Sequence, residues 1–347
     1  MAFAERIETK NTLLPLLHKQ VGNDELKPPT AGSTMTKKGA YAAISYMASA
    51  VLLLMFNKAA LSSYNFPCAN VITLFQIMCS CTLLYALRRW KIISFTVTGE
   101  SQSVSVGRSM ILVPFRTLVK TLPLALSYLF YMVVTMESVR GINVPMYTTL
   151  RRTTVAFTMI AEYLLTGQTH SPFVVTSVGM IILGAVVAGS RDLSFDTYSY
   201  AVVFVANICT ALYLASIARI GKSSGLNTFG LMWCNGVICG PLLLLWITIR
   251  GDVETTLNFR YLFSIGFQCV MLLSCIMAFL INYFVFLNTT LNSALTQTVC
   301  GNLKDVFSIG VGWFLFGGLP YDFINIVGQS FGFMGSCLYA YCKLHGK

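Results

Sequence analysis

Three cations stand where an apolar chain can least carry them. Arg151 and Arg152 fall about ten residues into one long apolar stretch, and Lys304 falls thirteen residues beyond Leu291 in another. At about 1.5 Å per residue these positions are roughly 15 and 20 Å deep in a hydrocarbon layer about 30 Å thick. A charge at that depth costs about 2.5 kcal/mol or more and by default marks a functional site. Arginine supplies a bidentate fork and lysine a point charge, and together they suit phosphate oxygens. Small and polar residues lead up to Lys304: Thr296, Gln297, Thr298, Gly301 and Asn302. Gly301 allows close approach of backbone. Asn235 and Trp233, near the middle of a third apolar stretch, offer an amide for a base edge and an indole for a ring face, although Trp also packs well between helices.

The competing arrangement is an internal ion pair with Glu137, Glu162 or Asp305. Asp305 directly follows Lys304, and neighbours on a helix point about 100° apart, which makes them poor partners. Glu162 lies ten residues from Arg152, near a helix end. Pairing therefore accounts for at most part of the cations, and an anionic substrate is the stronger expectation. The Gly236/Gly240 and Gly328/Gly332 pairs read as packing rather than chemistry.

The elements that must hold these residues follow from composition. Of 347 residues 55% are hydrophobic and 11% charged, and mean hydropathy is +0.69. Ordinary soluble domains carry about 25% charged residues, so the chain reads as an all-α polytopic membrane protein. Charge-free runs of at least about 17 residues extend over Gly39 to Asn57, Pro67 to Leu87, Ser171 to Ser190, Thr197 to Ala218, Ser223 to Ile249 and Phe323 to Cys342. Between Arg260 and Lys304 lie 43 uncharged residues, which the polar segment Asn288 to Ser293 divides into spans near Tyr261 to Leu287 and Leu291 to Phe316. Thr121 to Ser138 and Gly141 to Leu165 complete ten transmembrane helices.

Ten crossings place both termini on one side. That side holds sixteen basic residues, in the N-terminal arm, the 88–120 and 219–224 loops and the C-terminal tail, and the opposite loops hold four. The positive-inside rule puts both termini in the cytosol. It also absorbs most of the formal charge of +11, so nucleic acid is not the partner. Lys58 ends the first span on the luminal side, where it can snorkel to the interface.

Residues 1–38 lack the apolar core and small-residue cleavage site of a signal peptide and read as a disordered cytosolic arm. The Asn288 sequon faces the cytosol in this topology, so no glycan is expected there. The eleven cysteines form no Cys-x-x-Cys pair and behave as small buried hydrophobes. His18, His170 and His345 lie outside the spans, which argues against a metal site or a histidine base in the bilayer. The longest loop, about 32 residues, holds a single carboxylate, Glu100, and no histidine. An embedded glycosyltransferase or lipid enzyme is therefore disfavoured.

A shift of 150 residues aligns Phe157 with Phe307, Leu165 with Leu315 and Gly167 with Gly317. That maps the fourth span onto the ninth. An odd number of helices per repeat inverts the second half, the plan of many secondary transporters with a midplane site at the repeat interface. The expected organisation is a first five-helix repeat over 39–190, a second over 191–342 and a short cytosolic tail at 343–347. Both repeat-related spans carry cations to mid-depth. A proton-coupled exporter of cations or drugs would want a carboxylate unaccompanied by such cations, and fits less well.

Three segments carry a family resemblance: Phe56 to Pro67 with Asn57, Asn143 to Arg152 with Tyr147, and Leu291 to Asp305. Over residues 39–342 the chain resembles the nucleotide-sugar transporters of the drug/metabolite transporter superfamily. The pattern Gly301 to Lys304 is similar to the UDP-sugar branch, most like carriers of UDP-N-acetylglucosamine and UDP-N-acetylgalactosamine. GDP-mannose transporters carry Phe-Tyr-Asn-Asn and Gly-Ala-Leu-Asn-Lys where this chain has Trp233-Cys234-Asn235-Gly236 and Gly301-Asn302-Leu303-Lys304-Asp305. The departure argues against guanine, with a GDP-sugar or sugar-phosphate exchanger as the alternative.

The resemblance implies an antiporter, not an enzyme, that brings a UDP-sugar into the Golgi or endoplasmic reticulum lumen and returns UMP, without cofactor or metal. It implies phosphate and ribose contacts at Lys304, Gly301, Asn302, Arg151 and Arg152. Base and sugar contacts fall to Asn235, Trp233, Tyr147, Thr296 and Asn57. A homodimer is compatible with this picture.

Overall fold

The computed structural model describes residues 34–58, 60, 64–95, 113–140, 144–190, 196–316 and 323–346. The expectations for most of the N-terminal arm, for the middle of the 88–120 loop and for Arg191 and Asp192 lie outside the described residues. Within them the chain is helical: α1 Lys37–Lys58, α2 Ala69–Arg89, α3 Phe115–Arg140, α4 Val144–Arg151, α5 Thr154–Thr166, α6 Pro172–Gly189, α7 Thr197–Ser223, α8 Thr228–Ile249, α9 Asp252–Leu257, α10 Ile265–Leu291, α11 Ala294–Phe316 and α12 Phe323–His345. Among the described residues there is no strand, and α1, α2, α3, α6, α7, α8 and α10 are long and apolar enough to cross a membrane. The protein is a polytopic, all-helical membrane protein.

Local chemistry sets the helix starts. Ser171, Asp196, Asn227 and Ser264 each accept a backbone amide in the first turn of α6, α7, α8 and α10, which satisfies donors that lipid cannot. Two boundaries differ from the sequence expectation. The segment Asn288 to Ser293 does divide the two spans, but the break is confined to Asn292 and Ser293, because α10 continues to Leu291 and α11 begins at Ala294. Its amides are satisfied internally, Asn288 Nδ2 donating to Gln297 Oε1 at 2.6 Å and Asn292 Nδ2 to Gly39 O at 3.0 Å. The stretch expected as one span over 141–165 is interrupted at Arg152 and Thr153. Thr153 Oγ1 donates to Leu150 O at 2.8 Å and Thr154 Oγ1 to Arg151 O at 2.6 Å. Hydroxyls that bond back to carbonyls compete with the helical ladder, and the amides of Arg152 and Thr153 make the tighter i to i−3 bonds instead.

The helices pack in a specific set of pairs. α6 lies along α12, α3 along α7, α1 along α10, and α2 along α8; α5 contacts α7 and α11, α11 contacts α1, α2 contacts α10, and α3 contacts α8. Small residues make the α6/α12 crossing close: a Cβ on Gly184 would lie 2.5 Å from Gly332 N and 2.6 Å from Gly328 O. Backbone-to-backbone approach of this kind replaces the hydrophobic drive that is absent between helices in lipid.

Candidate functional site

Lys304 and Asp305 form the centre. Lys304 Nζ donates to Asp305 Oδ1 at 2.6 Å, with each side chain 26% exposed. This corrects the expectation that adjacent residues on α11 cannot pair: the Cβ vectors diverge, but the four-carbon lysine stem folds back far enough for its ammonium to reach the carboxylate. In surroundings of low dielectric the attraction outweighs the cost of bending the stem. Gly301, one turn earlier, faces Tyr46 of α1, whose hydroxyl would lie 3.7 Å from a Cβ there. Tyr46 and Tyr131 lie within electrostatic reach of Lys304. Asp305 is similarly near Tyr46, Tyr147 and Arg152.

The two arginines diverge from the break between α4 and α5. Arg151 Nη1 donates to Thr210 Oγ1 at 2.8 Å and Asn207 Oδ1 at 3.4 Å on α7, with its guanidinium 5.9 Å from the Tyr147 ring centre. Asn207 in turn donates to Leu150 O at 2.9 Å and Thr153 Oγ1 at 3.1 Å, which stitches the break. Arg152 points to α12, where it donates to Gln329 O and Gln329 Oε1, both at 3.3 Å, beside Gly332. It is 4% exposed. Asn302 Nδ2 donates to Arg152 O at 3.4 Å, so residues 150 positions apart meet where α5 crosses α11.

A second hollow, of mixed polar and apolar lining, lies between α2, α3, α8 and α10. Asn235 shares it with Ser80, Tyr128, Gly236, Asn282 and Phe286, and accepts from the Cys239 thiol at 3.6 Å. Tyr128 lies 6.2 Å from Tyr131 and 5.3 Å from Tyr213, ring centre to ring centre, and Tyr131 stacks on Tyr213 at 5.6 Å. This aromatic run leads from the Asn235 hollow toward Lys304.

The structure does not bring the remaining site residues into these two groups. Trp233, two residues from Asn235 and thus about 200° around α8, stacks near-parallel with Phe95 at 5.7 Å and Tyr85 at 6.5 Å. Its ring is occupied by packing. Thr296 bonds to Tyr339 Oη at 2.8 Å in a buried contact between α11 and α12. Asn57 accepts from Gln76 at 3.1 Å and Ser274 at 2.6 Å, joining α1, α2 and α10. Tyr46, Tyr128, Tyr131, Asn207 and Asn282 are absent from the sequence expectation. The two asparagines carry a usable signal, an amide near the middle of an apolar span, whereas the tyrosines blend into a strongly aromatic background.

Glu162 does not meet the arginines. Its carboxylate accepts from Ala294 N at 3.0 Å and Leu295 N at 3.3 Å, capping α11, and is 1% exposed. His170, in the turn between α5 and α6, brings Nε2 within 3.8 Å of Glu162 Oε2. Burial, reinforced by nearby Lys343, holds this imidazole below its ordinary pKa. Among the described residues no three His, Cys, Asp or Glu side chains are grouped to hold a metal ion.

A polytopic helical bundle with a broken helix, buried cations and a polar, aromatic interior fits a membrane transporter. The chain belongs to the Triose-phosphate Transporter family, whose model matches residues 36–340. It is a transporter and not an enzyme. It is 65% identical to the UDP-N-acetylglucosamine transporter UGNT1 of Arabidopsis thaliana, over 91% of each chain. It is 32% identical to the UDP-sugar transporter sqv-7 of Caenorhabditis elegans, over 88% of this chain and 89% of that one. The GDP-mannose transporter GONST1 of Arabidopsis thaliana is 25% identical, over 88% and 89%. A solved crystal structure superposes with a TM-score of 0.56 at 12% identity, covering 86% of this chain and 96% of the other, which bears on the fold alone.

Proposed function

We propose that this chain is an antiporter that carries a UDP-sugar, foremost UDP-N-acetylglucosamine, from the cytosol into the Golgi or endoplasmic reticulum lumen in exchange for UMP. The observation that carries the reading is the 65% identity to a UDP-N-acetylglucosamine transporter across nine-tenths of both chains. Lys304 and Arg151 hold phosphate, Gly301 and Asn302 give the backbone and amide beside it, Tyr147 flanks the sugar, and Asn235 meets the uracil edge. Uptake into proteoliposomes, screened across a panel of nucleotide sugars, tests this. UDP-N-acetylglucosamine is expected to be taken up fastest, and preference for a guanosine or cytidine nucleotide sugar would overturn it. Asn235→Ala should weaken discrimination between uridine and guanosine nucleotides more than total nucleotide binding; an unchanged ranking of competitors removes Asn235 from base recognition.

The same proposal takes α1, α2, α3, α4 with α5, α6, α7, α8, α10, α11 and α12 as ten crossings in two inverted repeats. Helix pairing supports this. A shift of five crossings turns the α1/α10 contact into α7/α3, α2/α10 into α8/α3, and α5/α7 into α11/α1, and all six contacts occur. The α2/α8, α5/α11 and α6/α12 contacts map onto themselves and also occur. The basic bias of the loops supports cytosolic termini.

A further inference from the structure

We propose that Asp305 sets the charge of the ligand that this carrier accepts, acting as a built-in anion that lowers the core from three positive charges to two and so matches it to a dianion. This deepens the reading of the chain as a nucleotide-sugar exchanger and rests on it. The geometry supplies the counting. Lys304 Nζ holds Asp305 Oδ1 at 2.6 Å, and about a quarter of each side chain is exposed, so the pair opens onto accessible space. Among the described residues the acceptors of Arg151 are the neutral side chains of Asn207 and Thr210, and those of Arg152 are the backbone and side-chain oxygens of Gln329. Glu162 is committed to the first amides of α11. Asp305 is a carboxylate set among these cations, bonded to Lys304 and within electrostatic reach of Arg152.

The pair does not block a phosphate. An ammonium has three donors, so Nζ can keep the carboxylate and take a phosphate oxygen as well. The charge then closes. A UDP-sugar carries about two negative charges, one on each phosphate, and UMP carries about two on its single phosphate near neutral pH. Either ligand brings the group formed by Arg151, Arg152, Lys304 and Asp305 to neutrality, which lets two ligands of different length use one site in turn. UDP, with about three charges, leaves the core negative. A methyl ester of UMP, with about one, leaves it positive. Either residue of charge is costly away from water.

The test is competition against labelled UDP-sugar uptake in proteoliposomes holding the full chain, with UMP, UDP and the methyl ester of UMP as competitors. The wild type is expected to prefer UMP over both others. Asp305→Asn, which returns the core to three positive charges, should shift the UMP-to-UDP preference at least about tenfold toward UDP, and Asp305→Glu should keep the wild-type ranking. Asp305→Ser carries the same expectation as Asp305→Asn where the asparagine variant fails to insert. A charge-neutral variant with the wild-type ranking, an Asp305→Glu variant that shifts as the asparagine does, or a wild type that prefers UDP over UMP tenfold would each overturn the proposal. If the wild type takes up another nucleotide in place of uridine, its monophosphate and diphosphate serve as the same pair of competitors. The charge rule is then judged apart from base identity.

Discussion

Lys304→Ala is expected to reduce nucleotide exchange at least about a hundredfold, with the protein still inserted and folded. The substitution does two things at once. It removes the point charge that a phosphate would use, and it leaves the Asp305 carboxylate, previously held at 2.6 Å, without its partner and facing the incoming anion. A hydrogen bond to a charged group contributes about 1.5 to 3 kcal/mol, and about 2.7 kcal/mol lost from the transport step already gives a hundredfold in rate. The pair is a quarter exposed, so Asp305 keeps access to water when Lys304 is removed, and the protein is expected to remain folded. Uptake by proteoliposomes, alongside thermal stability in detergent, checks both halves. Near-wild-type uptake by a stable Lys304→Ala protein would remove Lys304 from the substrate path.

Vesicles preloaded with UMP are expected to take up UDP-sugar at least about ten times faster than empty ones. An unloaded carrier must move Arg151, Arg152 and the Lys304–Asp305 pair past a low-dielectric gate with a net positive charge, which costs several kcal/mol. A barrier difference of about 1.4 kcal/mol suffices for the tenfold gap. The structure separates the two arginines. Arg151 is half-buried beside Tyr147, whereas Arg152 is sealed against α12 on Gln329. Arg151→Gln should therefore narrow the gap by raising uptake into empty vesicles. Arg152→Gln removes the same charge but should also lower stability, because it disturbs the crossing of α5, α11 and α12. Equal rates in loaded and empty wild-type vesicles would show that the cations are balanced within the protein.

What can be read from the chain alone is whatever depends on composition and depth. Apolar run length locates the long helices, and the cost of burying charge singles out Arg151, Arg152 and Lys304 with no contact known. The readings that fail depend on side-chain direction. Divergent Cβ vectors on a helix argue against Asp305 as a partner, and the reach of a lysine stem defeats that argument. Nearness in sequence groups Trp233 with Asn235, although two residues on a helix place them on opposite faces. The interruption at Arg152 and Thr153 depends on threonine hydroxyls turning back to carbonyls, which hydropathy cannot register. Asn288 looks like a turn residue when its polarity is counted without its partners, Gln297 and Asn292.

The carboxylate of Glu162 fastens the last turns of α5 to the first turn of α11. Shifted by 150 residues, its position holds Gly312, and the start of α4 holds Val144 and Pro145 in place of Ala294 and Leu295. A glycine has no side chain to accept an amide, and a proline has no amide to give. The Glu162 latch therefore has no counterpart of the same chemistry at the repeat-related position. In the proposed exchanger, opening at that end would strip this buried carboxylate of its amides, so the two faces are expected to open at unequal cost.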